Sequence, residues 1–453
     1  MDNHNFSKEE WETCIKVLSE LKNDPFNNPD NELFSGLIVK IHKAAKKLKR
    51  NKNSQERNQI DLDTLARSTI SNLALNNKTT YSPGVKQTQH TDRVLNKSRH
   101  CYACNALYKH VHSFYSRMCP VCAQENYDHR FDAIDLRGRH VIITGGRVKL
   151  GYSTALKCLR NGAIVIVTTR FPGLALDQFK KEKDFKNWKD NLTLYGLDLR
   201  NLKAVETFVE YVESNFESLD VLINNAAQTI KYTDTYYSPL VQQEEQEIAR
   251  NIDNVKLVPN TTSVFQETQI ITSNKTFEEL GLNRFGQPID NRLKTSWNST
   301  LEEISMYELL EVNLINQISP YFLIKELTSW LKKSKFPQRF IINVTSSEGQ
   351  FSYLNKTVYH PHTNMTKAAL NMLTRTSAKA YEVDRIYMYA VDVGWISTGA
   401  KEELREKQFS KGYIPPLDSV DGAARIMHPI IEGIKEKPIL VGVLLKNYKI
   451  EQW

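Results

Sequence analysis

Long apolar runs are missing from this 453-residue chain. No stretch approaches the ~18 to 20 uninterrupted apolar residues that a membrane-crossing helix needs, so no spanning segment is expected. Cysteine is scarce: six residues are too few to staple a chain of this length through disulfides. A strong charge bias is also absent. Sixty Lys and Arg against 52 Asp and Glu leave +8, too dilute to imply nucleic-acid binding. The start, MDNHNFSKEEWETC, lacks a basic segment followed by an apolar one, so no secretory leader is expected. These absences lead us to expect a soluble, cytoplasmic protein in a reducing compartment. What is there suffices for a core: 40% hydrophobic and 25% charged residues fit a globular chain of two or three domains.

The first hundred residues differ from the rest. Ser7 and Glu10 form a capping-box pair ahead of a stripe of Trp11, Ile15, Val17, Leu18 and Leu21. A second helix is expected over Leu33–Arg50, with Phe34, Leu37, Ile38, Ile41, Ala45 and Leu48 at helical spacing. Its other face carries Lys40, Lys43, Lys46, Lys47, Lys49 and Arg50. Such a face suits an acidic lipid, a nucleic acid or a protein partner, but a solvated charged face is the more ordinary outcome. Residues 1–50 are therefore assigned to a helical region. Residues 51–98, rich in Asn, Gln, Ser and Thr, are assigned to a polar linker with one short helix near Asp63–Leu75.

Residues 99–130 carry Cys101 and Cys104, then Cys119 and Cys122. Each CxxC can present two thiolates to one ion, and four close a tetrahedron around zinc. With no open position such a zinc would be structural, holding together a segment too small for its own core. The aromatics Tyr102, Tyr108, Phe114 and Tyr115, with Lys109 and Arg117, are either that small core or a surface for a partner.

From Gly138 onward short β-branched runs alternate with helical patterns: HVIITGG, AIVIVTTR, NLTLYGLDL, DVLINNAA, FIINVTSS, then IYMYAVDVG and PILVGVLL. Strands alternating with helices predict an α/β fold, a Rossmann-like, doubly wound parallel sheet over residues 137–453. HVIITGGRVKLG reads as strand, glycine turn and helix start, an arrangement that lets backbone N–H groups approach a pyrophosphate. The second strand ends in Thr168-Thr169-Arg170, without the acid that holds the ribose hydroxyls of NAD. Arg170, with Arg147 inside the glycine turn, favours NADP over NAD.

This part of the chain resembles the short-chain dehydrogenase/reductase family. The resemblance rests on Thr144-Gly145 with Leu150-Gly151, on Asp198-Leu199, and on Asn224-Asn225-Ala226-Ala227, in the family's order. Lys149 stands where the family has the middle glycine of its turn. The resemblance implies that Thr144, Gly145, Arg147, Leu150, Gly151, Arg170, Asp198, Leu199, Asn225 and Ala226 face the cofactor, with Asp198 at the adenine. It further implies Asn313, Ser346 and Lys367 as catalytic residues, Lys367 also touching the cofactor. Gly394 and Thr398 would lie by the nicotinamide carboxamide, with Val393 in place of the family's proline. The family's proton donor is a tyrosine four residues before its lysine, where this chain has Thr363. Tyr359, thirteen residues after Ser346, is the substitute expected, followed by His360 or His362.

Between Ala227 and the helix bearing Asn313 lies an insertion, assigned to about 228–300, expected to be a lid or substrate platform, or else to contact the N-terminal region. Two functions remain open at this point. One is an NADP-dependent oxidoreductase acting on a small carbonyl or alcohol. The other is a cofactor-binding, catalytically weakened scaffold or redox sensor that recruits a protein through the cysteine module or the basic helix. A homo-oligomer fits either.

Overall fold

The computed structural model describes residues 5–23, 31–232, 234–250, 255–260, 281–290, 292, 294–396 and 402–453. The chain divides into two units, Met1–Asp63 and Thr64–Trp453. In the first, Ser7 caps the helix Lys8–Leu21 through reciprocal bonds with Glu10. The second helix runs Asn31–Ala66, well past the expected stop at Arg50. No Pro or Gly occurs between Gly36 and Pro83, so nothing forces an earlier break. Much of the supposed linker is therefore helical. The short helix is Thr69–Leu75.

The cysteine segment forms a hairpin, β1 (Arg93–His100) and β2 (Leu107–Val111), paired antiparallel and followed by the helix Pro120–His129. Tyr108, Phe114 and Tyr115 are buried with Leu95, Val111, Met118 and Tyr127, so these aromatics serve as core.

The main sheet contains β3 (His140–Thr144), β4 (Ile164–Thr169), β5 (Leu192–Gly196), β6 (Val221–Asn224), β7 (Lys256–Val258), β8 (Arg339–Thr345), β9 (Ile386–Asp392), β10 (Leu444–Lys446) and β11 (Lys449–Glu451). Their spatial order is β11-β10-β9-β8-β6-β3-β4-β5-β7. All neighbours are parallel except β10 and β11. The order reverses between β3 and β6, and the crevice at such a switch point is where doubly wound sheets bind ligands. Alternation sorts the core into two layers. Val141, Ile143, Val165 and Val167 face the helices Lys149–Arg160 and Ser419–Ile434. Ile142, Ile166 and Leu222 face Leu202–Asn215 and Ser319–Lys332.

Three features depart from expectation. Of PILVGVLL only Leu444 and Leu445 become strand, in β10, after Gly442 at a left-handed φ of 69°. Asn447 and Tyr448, both at positive φ, turn the chain back into β11, the backbone that a tight two-residue hairpin requires. Within the insertion, the helix Asp234–Ala249 and β7 extend the other edge beyond β5.

Candidate functional site

Strand β3 delivers Thr144 to the switch point. Its hydroxyl accepts the N–H groups of Asn225 and Ala226, each at 3.0 Å, from the end of β6. The Asn225 amide answers by donating to the carbonyls of Thr144 and Gly145 at 2.9 and 3.1 Å. Gly145 has φ +70°, and a Cβ on Gly151 would stand 2.2 Å from the Gly145 carbonyl oxygen and 2.5 Å from the Asn225 amide. The turn thus closes on itself only with glycine at 151. Lys149, standing where the family has a glycine, takes a left-handed backbone at φ 54°. Val148 precedes the helix without a side-chain cap, leaving its first N–H groups for an anion. The Leu150 and Ile396 side chains both lie over Gly422.

Cations gather at this end of the sheet. Burial and the neighbouring Arg170 pull Arg147 down to about 10. Burial, then Arg284 and Arg147, pull Lys149 to about 8. Lys149 Nζ lies 4.9 Å from the Phe285 ring and Arg170 4.5 Å from the Tyr237 ring. Arg147 reaches the Gly286 carbonyl at 3.5 Å. A buried Arg170 guanidinium nitrogen has no hydrogen-bond partner. The nearby acid Glu244 is consumed elsewhere, accepting the N–H groups of Gly173 and Leu174 at 2.6 and 2.8 Å. The unpartnered Arg170 nitrogen, the open helix N-terminus and the absence of an acid at the end of β4 fit a phosphorylated dinucleotide. Asp198 fits its expected role less well, since Arg200 occupies its carboxylate through two nitrogens and a backbone N–H. The Leu199 carbonyl accepts the Ser319 hydroxyl.

The insertion supplies Tyr237, Arg284, Phe285 and Gly286 to this cation site. Trp297 stacks on His360 with ring centroids 4.6 Å apart. Arg284 and Phe285 also line a small cavity with Ile70, Leu73 and Lys78. The described parts of the insertion thus lie beside these cations and against Ile70, Leu73 and Lys78.

At the end of β8, Ser346 leaves the strand extended. Lys367, on the helix Pro361–Glu382, donates from Nζ to the Val344 carbonyl at 2.8 Å. Burial lowers it to about 8, against the pull of Glu348 and Asp392. One turn earlier, the Thr363 hydroxyl is buried without a partner. No phenol occupies that place. Tyr359 lies just before the helix, 42% exposed, and its hydroxyl makes no bond to a described residue. His360 is held at φ 44° and bonded to the Trp297 carbonyl. His362 bonds the Thr229 carbonyl through Nε2 at 3.1 Å, leaves Nδ1 unpartnered, and is shifted down by burial.

The asparagine that faces the site is one turn beyond the expected one. Asn313 turns back to the Leu309 carbonyl and Gln317. Asn316, inside a π-helical stretch Leu314–Ile318, accepts the Gln228 N–H at 2.8 Å, donates to the Gln228 carbonyl at 2.9 Å and reaches the Thr366 hydroxyl at 3.0 Å. The extra residue of the π turn moves the inward position. No spacing rule for an ordinary helix would reveal it, although NLINQ offers both asparagines. Gly394 follows β9 at φ +80°, its N–H bonded to Asp392. Thr398 lies outside the described residues.

The four cysteine sulfurs lie within 4.8 Å of one another, with Cys104 and Cys119 at 3.7 Å, and all four are free thiols. The Ala106 N–H draws Cys104 down to about 7, while burial raises Cys119 and Cys122. The set matches the four-thiolate shell of a structural zinc. Around it the module is joined to the sheet domain. Arg130 bridges Asp418 and Asp421, each at 2.7 Å, and the Tyr115 hydroxyl donates to Asp421 at 2.5 Å.

Strand order, switch point and glycine turn define a doubly wound α/β protein of the dinucleotide-binding type. The sequence profile of the family described as short chain dehydrogenase matches residues 139–275 and 293–408. Over half the chain is covered, and the protein belongs to that family. It is 32% identical over 361 residues to the uncharacterized protein R665 of Acanthamoeba polyphaga mimivirus, covering 77% of this chain and 75% of that one. The (+)-neomenthol dehydrogenase of Capsicum annuum matches at 28% identity over 89 residues, 19% of this chain and 28% of the enzyme. Among solved structures, the carbonyl reductase Sniffer of D. melanogaster aligns at 18% identity with a TM-score of 0.46, over 70% of this chain and all of that one.

Proposed function

We propose that the protein binds NADP(H) and passes hydride between the nicotinamide and a small carbonyl or alcohol substrate. The observation that carries this is the convergence, at one end of the strands, of the closed glycine turn, the clustered cations Arg147, Lys149 and Arg170, and the residues Ser346 and Lys367. When bound, the cofactor supplies or accepts the hydride. Thr144, Gly145, Leu150, Gly151, Asn225 and Ala226 shape its seat, and the cations meet its phosphates. Asp198 and Leu199 line the adenine side once Arg200 yields, and Gly394 with Thr398 closes the nicotinamide side. Ser346 orients the substrate oxygen. Lys367, poised near pH 8, holds the proton that the oxygen gains on reduction. Asn316, bonded from the π turn to Gln228 in the segment after β6, takes the catalytic role that the resemblance implied for Asn313. Tyr359 delivers the proton if its loop turns inward. The cysteine cluster holds a structural zinc.

A second reading has its own support: Thr363 replaces the phenol, and an alkanol is a far weaker acid. In that reading the protein binds the cofactor without efficient turnover and acts through a partner. Fluorescence titration with NADPH and NADH, followed by a screen of aldehydes and quinones, separates them. Tight NADPH binding with turnover lost in Lys367→Ala and reduced in Tyr359→Phe is the expected result. Binding without turnover selects the second reading, and binding of neither nucleotide overturns both.

A further inference from the structure

Tyr102 lies between two of the zinc-type ligands, Cys101 and Cys104, so the knuckle that holds the metal also fixes the base of its ring. Its hydroxyl leaves the module and accepts the Trp395 N–H at 2.7 Å. It stands so close over Gly394 that a Cβ there would come within 2.9 Å of the phenol oxygen. Arg117 grips the same run of chain further on. Its guanidinium donates to the Ile414 carbonyl at 3.2 Å and lies 4.8 Å from the Trp395 ring and 5.7 Å from the Tyr413 ring. Arg117 is itself tied to the knuckle, its carbonyl accepting the Tyr102 N–H at 2.9 Å.

What Tyr102 holds is next to the chemistry. Asp392, the last residue of β9, pairs with Thr345, the last residue of β8, immediately before Ser346. Gly394 and Trp395 therefore turn away from the sheet at the same edge as Ser346. Ile396, one residue on, and Leu150 at the start of the glycine-turn helix both reach the space over Gly422. The Gly394 N–H is bonded to Asp392, and Gly394 itself takes a left-handed φ of 80° that a side chain would disfavour.

We propose that Tyr102 is a positioning residue: the metal-bound knuckle uses its phenol to fix the Gly394–Trp395 turn and so the seat of the nicotinamide half of the cofactor. This rests on the NADP(H) reading above. It makes cofactor affinity depend on metal through a hydrogen bond between the cysteine module and the turn after β9. The dependence is selective, because the cations at Arg147, Lys149 and Arg170 hold the phosphates without help from the module.

The test is Tyr102→Phe in the full chain, which keeps the ring and removes the acceptor. Expected are one zinc per chain and a melting temperature close to wild type. NADPH should bind about five- to tenfold more weakly, as loss of one buried hydrogen bond predicts. The fragment 2′,5′-ADP, which lacks the nicotinamide half, should bind with unchanged affinity, and amide exchange over 393–396 should quicken. Unchanged NADPH affinity, or equal weakening of NADPH and 2′,5′-ADP, overturns the proposal. If Tyr102→Phe fails to hold metal, wild-type protein stripped with a chelator and then reloaded takes its place. A loss confined to NADPH and reversed by zinc supports the proposal, and an equal loss of both ligands overturns it. If wild type binds neither ligand, the cofactor reading fails alone. Exchange over 393–396 then still decides whether Tyr102 holds the turn.

Discussion

Replacing Arg130 by methionine removes the cation at the joint between the cysteine module and the sheet domain. Its side chain is 1% exposed and lies 2.7 Å from Asp418 and from the fully buried Asp421. The ring of Phe114 sits 4.5 Å from it. Methionine roughly preserves the apolar stem, so the main loss is the counter-charge of Asp421. Removing one partner of a buried pair costs about 3–5 kcal/mol, because the remaining charge stays in a poor dielectric. At about 2.1 cal/mol/K per residue, residues 64–453 melt with an entropy of about 0.8 kcal/mol/K. The midpoint should therefore fall by roughly 4–6 °C. Differential scanning calorimetry of the metal-loaded full chain measures it. The pH dependence gives a second reading. Burial raises the Asp421 carboxyl above its ordinary range, and losing Arg130 raises it further. A raised folded-state pKa stabilises at low pH and loses that contribution as pH rises through it, so the deficit should narrow between about pH 7 and about pH 5. The triple variant Arg130→Met, Asp418→Asn, Asp421→Asn should recover at least half of the loss. An unchanged midpoint, or a deficit that neither acid nor the triple variant relieves, refutes the reasoning.

Two further outcomes follow from the glycine turn. Because Lys149 titrates near 8 through burial and neighbouring cations, NADPH affinity should decline about fivefold from about pH 7 to about pH 9 as the charge is lost. Lys149→Arg should flatten that decline, and a flat wild-type profile contradicts it. Gly151→Ala places a Cβ 2.2 Å from the Gly145 carbonyl oxygen, which cannot yield as a flexible side chain would. NADPH binding by titration should weaken at least about tenfold. Gly36→Ala, with open space around its Cβ, serves as the neutral control, and equal binding by both variants would show that the turn does not seat the cofactor.

The central strands β3, β4, β5, β6, β8 and β9 were legible because each is a short apolar run buried on both faces, whereas the more exposed β7 and β11 left no such mark. The glycine turn was legible for a related reason, since positions 145 and 151 tolerate nothing larger. The asparagine was not. Asn313 and Asn316 are three apart, and only a π turn, which leaves no mark in apolar spacing, decides which of them faces inward. Tyr359 keeps its distance in sequence from Ser346, yet the left-handed His360 leaves it outside the helix that carries Lys367. The polar stretch after Arg50 read as linker from composition, while its lack of Pro and Gly allowed the helix to continue to Ala66. The grip of Tyr102, Arg117 and Arg130 on residues 394–421 spans some three hundred positions, beyond the reach of any local pattern.

That separation has a consequence during synthesis. Tyr115 is 306 positions from Asp421, and Arg130 is 288 from Asp418. At about 5–20 residues per second, the finished cysteine segment waits roughly 15–60 s for the acids that will neutralise its arginine. Throughout that interval Arg130 has no counter-ion, and the small aromatic core has no partner wall. On the zinc reading proposed above, an early-bound metal would keep the hairpin in shape until the helix Ser419–Ile434 leaves the ribosome. A shortage of zinc would be felt by the nascent chain before it was felt by the finished one.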